Sequence, residues 1–181
     1  MGTADTELEI QGLLLLDDPN QKLITGGANL DLKNGVSIIA GEISSTGGTV
    51  SIEESVNLSG GTISITSGTL ALGGEFSKTG GNLSLVDSTL TLLSDLQWNS
   101  DSLQELSSLE LNDKALILED QTSDLKINSA LTLDHPDEKL FSGQADLKIS
   151  GLVSISAGEL SSSGGEVRLS LIHISEPTRH H

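Results

Sequence analysis

GGTVSIEESVNLSGGTISITSGTLALGG, residues 47–74, alternates short apolar pairs with glycine corners, and its reading decides the fold. Val50/Ile52, Val56/Leu58, Ile63/Ile65 and Leu70/Leu72 are each separated by one residue, the period-two signature of a strand with one buried face. The Gly-Gly and Ser-Gly steps between them supply the positive φ angles of tight corners. Each strand therefore offers only two or three inward side chains before the chain turns. The pattern continues outward in both directions, through Leu30/Leu32 and Leu8/Ile10 on one side and Leu83/Leu85, Leu116/Leu118 and Val153/Ile155 on the other. Helical spacing is absent except around Leu93 to Leu109.

Strand-corner units at nearly constant spacing predict an all-β fold, a β-solenoid of about 8–9 coils of about 20 residues, spanning 8–170 after a lead-in at 1–7. Coil starts fall at 8, 30, 50, 63, 83, 109, 125, 147 and 167, so the step from 8 to 125 covers six coils of about 19.5 residues. On this count the coil from 50 is short and the one from 83 is long. The excess, LSDLQWNSDSLQELSS at 93–108, is expected to be an insertion, a loop or short helix that projects from the rod and carries Trp98.

A longer repeat overlies the coils. At an offset of 117, residues 7–53 align without gaps on residues 124–170, with 22 identities in 47 positions. Corner residues recur along with strands: Asp17, Pro19, Lys22, Gly41 and Gly48 return as Asp134, Pro136, Lys139, Gly158 and Gly165. Identity at that level reflects duplication, giving a first copy at 7–123 and a partial second copy at 124–170. The segment LIHISEPTRHH at 171–181 breaks the repeat and resembles translated sequencing-adapter read-through. It is expected to be a non-native tail that adds a strand to the last coil, and no function is assigned to its histidines.

Composition limits function. Nine basic against 26 acidic residues give a net charge of −17, which repels polyanions, so nucleic acid is not an expected partner. No cysteine is present, which removes disulfides, thiolate metal sites and a cysteine nucleophile. No apolar run exceeds the four residues of Leu13 to Leu16, far short of the ~20 residues that span a bilayer, so no membrane insertion is expected.

GGTVSIEESVNLSGGTISITSGTLALGG and LKISGLVSISAGELSSSGGEVRLS (147–170) resemble the repeat regions of filamentous-haemagglutinin-type adhesins and related bacterial surface proteins. The resemblance covers nearly all of 8–170. It implies a right-handed parallel β-helix, an extracellular or cell-surface location, and a structural and adhesive shaft without catalysis, with a host-cell or surface glycan or protein receptor as partner.

Three sites follow as expectations. Trp98 is the candidate partner-binding residue, because a loop leaving a regular rod is a usual place for recognition; Phe76 and Phe141 fall at inward positions. The repeated acidic corners make Asp17, Asp18, Asp134 and Asp137 calcium candidates, since calcium takes oxygen ligands, although Asp-Pro-Asn is also ordinary turn chemistry. The uncapped rod ends predict end-to-end self-association. Two alternatives stand beside the shaft. A polysaccharide lyase or hydrolase of the β-helix type would need clustered carboxylates, a basic residue to act on the substrate and usually sugar-stacking rings, whereas the acids here are scattered and the basic partners few. An ice-binding solenoid would need a threonine ladder, and pairing Asp31, Ser51, Ser64 and Ser84 as successive outward residues shows none.

Overall fold

The computed structural model describes residues 6–174. The chain winds into a parallel β-solenoid of about eight coils, each giving one strand to each of three faces, and no helix occurs among the described residues. The first coil is β1 (Glu7–Ile10), β2 (Leu14–Leu16) and β3 (Lys22–Gly26), and the second is β4 (Asn29–Leu32), β5 (Val36–Ile38) and β6 (Glu42–Thr46). The third coil comprises β7 (Thr49–Ile52), β8 (Val56–Leu58) and β9 (Thr62–Thr66), and the fourth β10 (Thr69–Leu72), β11 (Glu75–Lys78) and β12 (Asn82–Val86). Coils five and six are built from β13 (Thr89–Leu92), β14 (Leu96–Ser100), β15 (Gln104–Leu106), β16 (Ser108–Glu110), β17 (Ala115–Leu118) and β18 (Leu125–Ile127). The last two contain β19 (Leu131–Leu133), β20 (Lys139–Phe141), β21 (Leu147–Ile155), β22 (Glu159–Ser161) and β23 (Val167–Ile174).

Stacking in parallel register places like residues above one another. Leu30, Val50, Leu70 and Leu90 form one inward column, and Val36, Val56, Phe76 and Trp98 another. These columns are buried and merge into one apolar core along the rod. No coil buries its inner face alone, so core and backbone ladder form together by stacking.

The spacing near 20 residues holds, but the coil boundaries differ from those expected. Ile63 lies in the third strand of the coil that contains Val50 in its first strand, so the interval from 50 to 63 is two-thirds of one turn. Period-two pairs look alike whichever face they occupy, and the starts at 63, 83, 125, 147 and 167 mark the third face instead of the first. Nor do residues 93–108 project. Leu96–Ser100 and Gln104–Leu106 are β14 and β15 of a regular coil, because Leu96, Trp98 and Leu106 supply inward side chains in step with their neighbours. Re-pairing the coils also aligns Thr49, Thr69 and Thr89 in a single outward column, which the sequence pairing missed.

The duplication does not coincide with whole turns. Leu8 sits on the first face of the first coil, whereas its counterpart Leu125 sits on the third face of the sixth. The 117-residue offset thus spans five and two-thirds coils, and the second copy is turned by one face relative to the first. Local contacts survive the rotation. Gly41 (φ +86°) stacks on the corner below, where a Cβ would meet the carbonyl of Gln21 at 2.6 Å; Gly158 (φ +76°) repeats this over Glu138 at 2.5 Å. A side chain fits at neither position.

Among the described residues the ladder is continuous only on the second face, where eight strands run from β2 to β22. On the first face the sheet ends at β16, and on the third the four-stranded sheet ends at β12 without pairing to β15. Third-face strands shorten there from the five residues of β12 to the three of β15.

Candidate functional site

Trp98 lies inside the rod. It is fully buried on β14, its ring stacked on that of Phe76 with centroids 4.2 Å apart and planes inclined by 20°. The expected projecting platform is therefore corrected: parallel register sets Trp98 on Phe76 in the core, where no partner reaches it. Phe76 is inward as expected, but Phe141 is only partly buried, because its neighbour Leu140 takes the inward position of β20.

The acidic corners are turns closed by a side chain three or four residues on. Gln21 Oε1 accepts the N–H groups of Asp17 (2.7 Å) and Asp18 (3.1 Å), and Glu138 Oε2 accepts those of Asp134 (2.8 Å) and His135 (3.2 Å). Asp18 Oδ1 accepts the Asn20 N–H at 2.8 Å, and in the second copy His135 Nδ1 does the same for Asp137 at 3.3 Å. This is Asx-type turn chemistry, preserved through an Asp-to-His replacement. Asp17 and Asp18 lie between the second and third faces, whereas Asp134 and Asp137 lie between the first and second, so the four are not brought together. Among the described residues, no group of three or more His, Asp or Glu side chains is placed to hold a metal ion.

A different place, not marked by any of these motifs, lies around Lys78. Lys78 occupies an inward position, in the column of Ile38 and Leu58, and is only 5% exposed. Its stem lies in the core while its ammonium reaches outward to Asp101 Oδ1 at 2.5 Å and Ser102 Oγ at 3.0 Å. The hydrogen bond from Lys78 holds the Asp101 carboxyl below the usual carboxylate range. The clue was visible, since EFSK at 75–78 puts lysine where the aligned strands have Ile38 and Leu58.

Above Lys78 the third face opens. Between β12 and β15 lies a cleft of about 510 Å³, with Leu83 and Leu85 among its lining, and Asn82, Ser84, Gln104 and Asn128 contributing polar groups. Gln104 is 6% exposed, its amide Nε2 held by the carbonyls of Ser102 (3.2 Å) and Leu103 (3.0 Å). Glu105, also in the lining, is paired with Lys126 at 3.0 Å, which lowers the pKa of its carboxyl.

Backbone groups face the cleft as well. Asn82 N–H bonds to Gly61 and Val86 C=O to Ser67, both towards the coil below, so the intervening Leu83 and Leu85 turn their amides towards β15. Gln104 and Leu106 bond to the coil above, leaving those of Glu105 directed at β12. One side-chain bond bridges the gap, from Ser107 Oγ to the Leu85 carbonyl at 3.3 Å. Compared with family models, curated proteins and solved structures, the chain gives no match.

Proposed function

We propose that this chain is a segment of a structural and adhesive shaft in a secreted or surface-exposed bacterial repeat protein. The supporting observation is the duplicated segment that keeps its coil-on-coil contacts after rotation by one face. A unit whose contacts are indifferent to the face it lands on extends a rod by simple duplication. The continuous aliphatic core gives the stiffness such a spacer needs, and the net charge of −17 keeps neighbouring rods apart. Eight coils span about 40 Å at the inter-strand spacing of ~4.8 Å. Inserting one more 117-residue unit should lengthen the particle by about 27 Å in small-angle scattering without thickening it. A lengthened chain that instead becomes thicker, or forms a second body, would refute the shaft. Adhesion is tested separately, by attachment of beads coated with the chain to epithelial cells; attachment no better than that of uncoated beads would remove the adhesive half of the proposal.

A further inference from the structure

We propose that the cleft between β12 and β15 binds a short, neutral saccharide. This rests on the adhesive part of the preceding proposal and names a ligand class for it, while the shaft stands without it. The position is structurally singular on the third face: β3, β6, β9 and β12 pair in unbroken succession, then the ladder stops and resumes at β15 and β18. The opening combines apolar groups, the partly buried Leu83 with the exposed Leu103 and Val86, with amide and hydroxyl groups on its walls. A sugar ring has that same division, with C–H faces to lay on leucine and hydroxyls that both donate and accept. The backbone groups of Leu83 and Glu105 and the N–H of Leu85 add fixed donors and acceptors with no ladder partner across the gap, the Leu85 carbonyl being taken by Ser107 Oγ. Gln104 is pinned through its Nε2, so its amide is oriented before any ligand arrives.

Charge selects the class. Lys78 is matched by Asp101, and Glu105 by Lys126, leaving Asp87 as the charge in the lining without an ion pair among the described residues. An acidic sugar would meet that carboxylate and the field of a −17 chain, whereas a neutral one meets neither penalty. A sugar ring would rest here on leucine, since no aromatic side chain lines the cleft to stack it, and the polar walls argue against a lipid tail. At about 510 Å³ the space is within the range of small-molecule sites.

The test is a printed array of neutral and acidic oligosaccharides of two to four rings, followed by calorimetric titration of the strongest hit. The expected result is saturable binding of a neutral oligosaccharide. It should weaken at least tenfold in Ser84→Trp, which fills the cleft from an outward position, and remain unchanged in Ser44→Trp, two coils away in the same outward column. Gln104→Ala should weaken it also, with circular dichroism reporting whether that buried site still folds. An array without hits, hits confined to acidic sugars, or equal binding by Ser84→Trp would each overturn the proposal. Particle length in scattering is independent of all three, so the saccharide site can fail while the shaft survives.

Discussion

Replacing Trp98 separates a core residue from a surface platform by several kcal/mol. Its indole is fully buried and stacked on Phe76 at 4.2 Å. Truncating a buried aromatic to alanine costs about 3–5 kcal/mol, and loss of a stacked partner alone costs about 0.5–1.5 kcal/mol. One effect runs the other way. Trp98 Nε1 is buried without a hydrogen-bond partner, and relieving such a group returns about 1–3 kcal/mol. Trp98→Ala should therefore destabilise by about 3 kcal/mol, whereas Trp98→Phe keeps a stackable ring, drops the unpaired N–H and should cost at most about 1.5 kcal/mol. Urea unfolding followed by circular dichroism measures both. Because Trp98 is the only tryptophan, native fluorescence gives a second readout: emission should be blue-shifted and shielded from acrylamide. A cost below about 0.5 kcal/mol for Trp98→Ala, the range of ordinary surface changes, together with emission of a water-exposed indole, would refute the placement.

Three further outcomes are expected. Gly41→Ala and Gly158→Ala should each destabilise by about 1–2 kcal/mol, since both combine positive φ with a blocked Cβ, while Gly12→Ala, with open space around it, should change stability by less than about 0.5 kcal/mol; equal effects in urea melts would contradict the stacking. In hydrogen exchange, the amides of Leu83 and Leu85 should exchange faster than those of Ile63 and Ile65 on the paired strand below, and equal protection would mean that the gap beside β12 is closed in solution. Asp101 has a lowered pKa, so its ion pair with Lys78 contributes stability above the unfolded carboxylate value of about 3.9, lost as pH falls through the folded one. Between pH 6 and 2 the melting temperature should fall more for the native protein than for Asp101→Asn; parallel curves would show that the pair adds nothing.

The rotated duplication has a consequence for anything the repeat displays. Asp17 and Asp134 are equivalent in sequence yet stand on different edges of the rod. A three-faced solenoid tolerates this because each strand asks only for alternating apolar residues, and each corner carries its own closing groups, Gln21 or Glu138 beneath Gly41 or Gly158. The cleft is different. It depends on Lys78, Gln104 and the shortened β15, all between the two duplicated stretches, and of its lining only Asn128 comes from one of them.

The all-β solenoid, its spacing near 20 residues and the 117-residue repeat were legible in the amino-acid sequence, because period two, glycine corners and internal identity are local properties of a chain. Which face a strand occupies is not local. Ile63/Ile65 and Leu83/Leu85, read without their partners, are indistinguishable from a first-face pair such as Val50/Ile52, yet both belong to the third face. That ambiguity turned β14 and β15 into an apparent insertion and put Trp98 outside. Only stacking resolved it, since the backbone ladder forces each residue into a column with those about 20 positions away. The same dependence hid the cleft: a gap between β12 and β15 is a missing pairing, and pairings exist only in the folded rod.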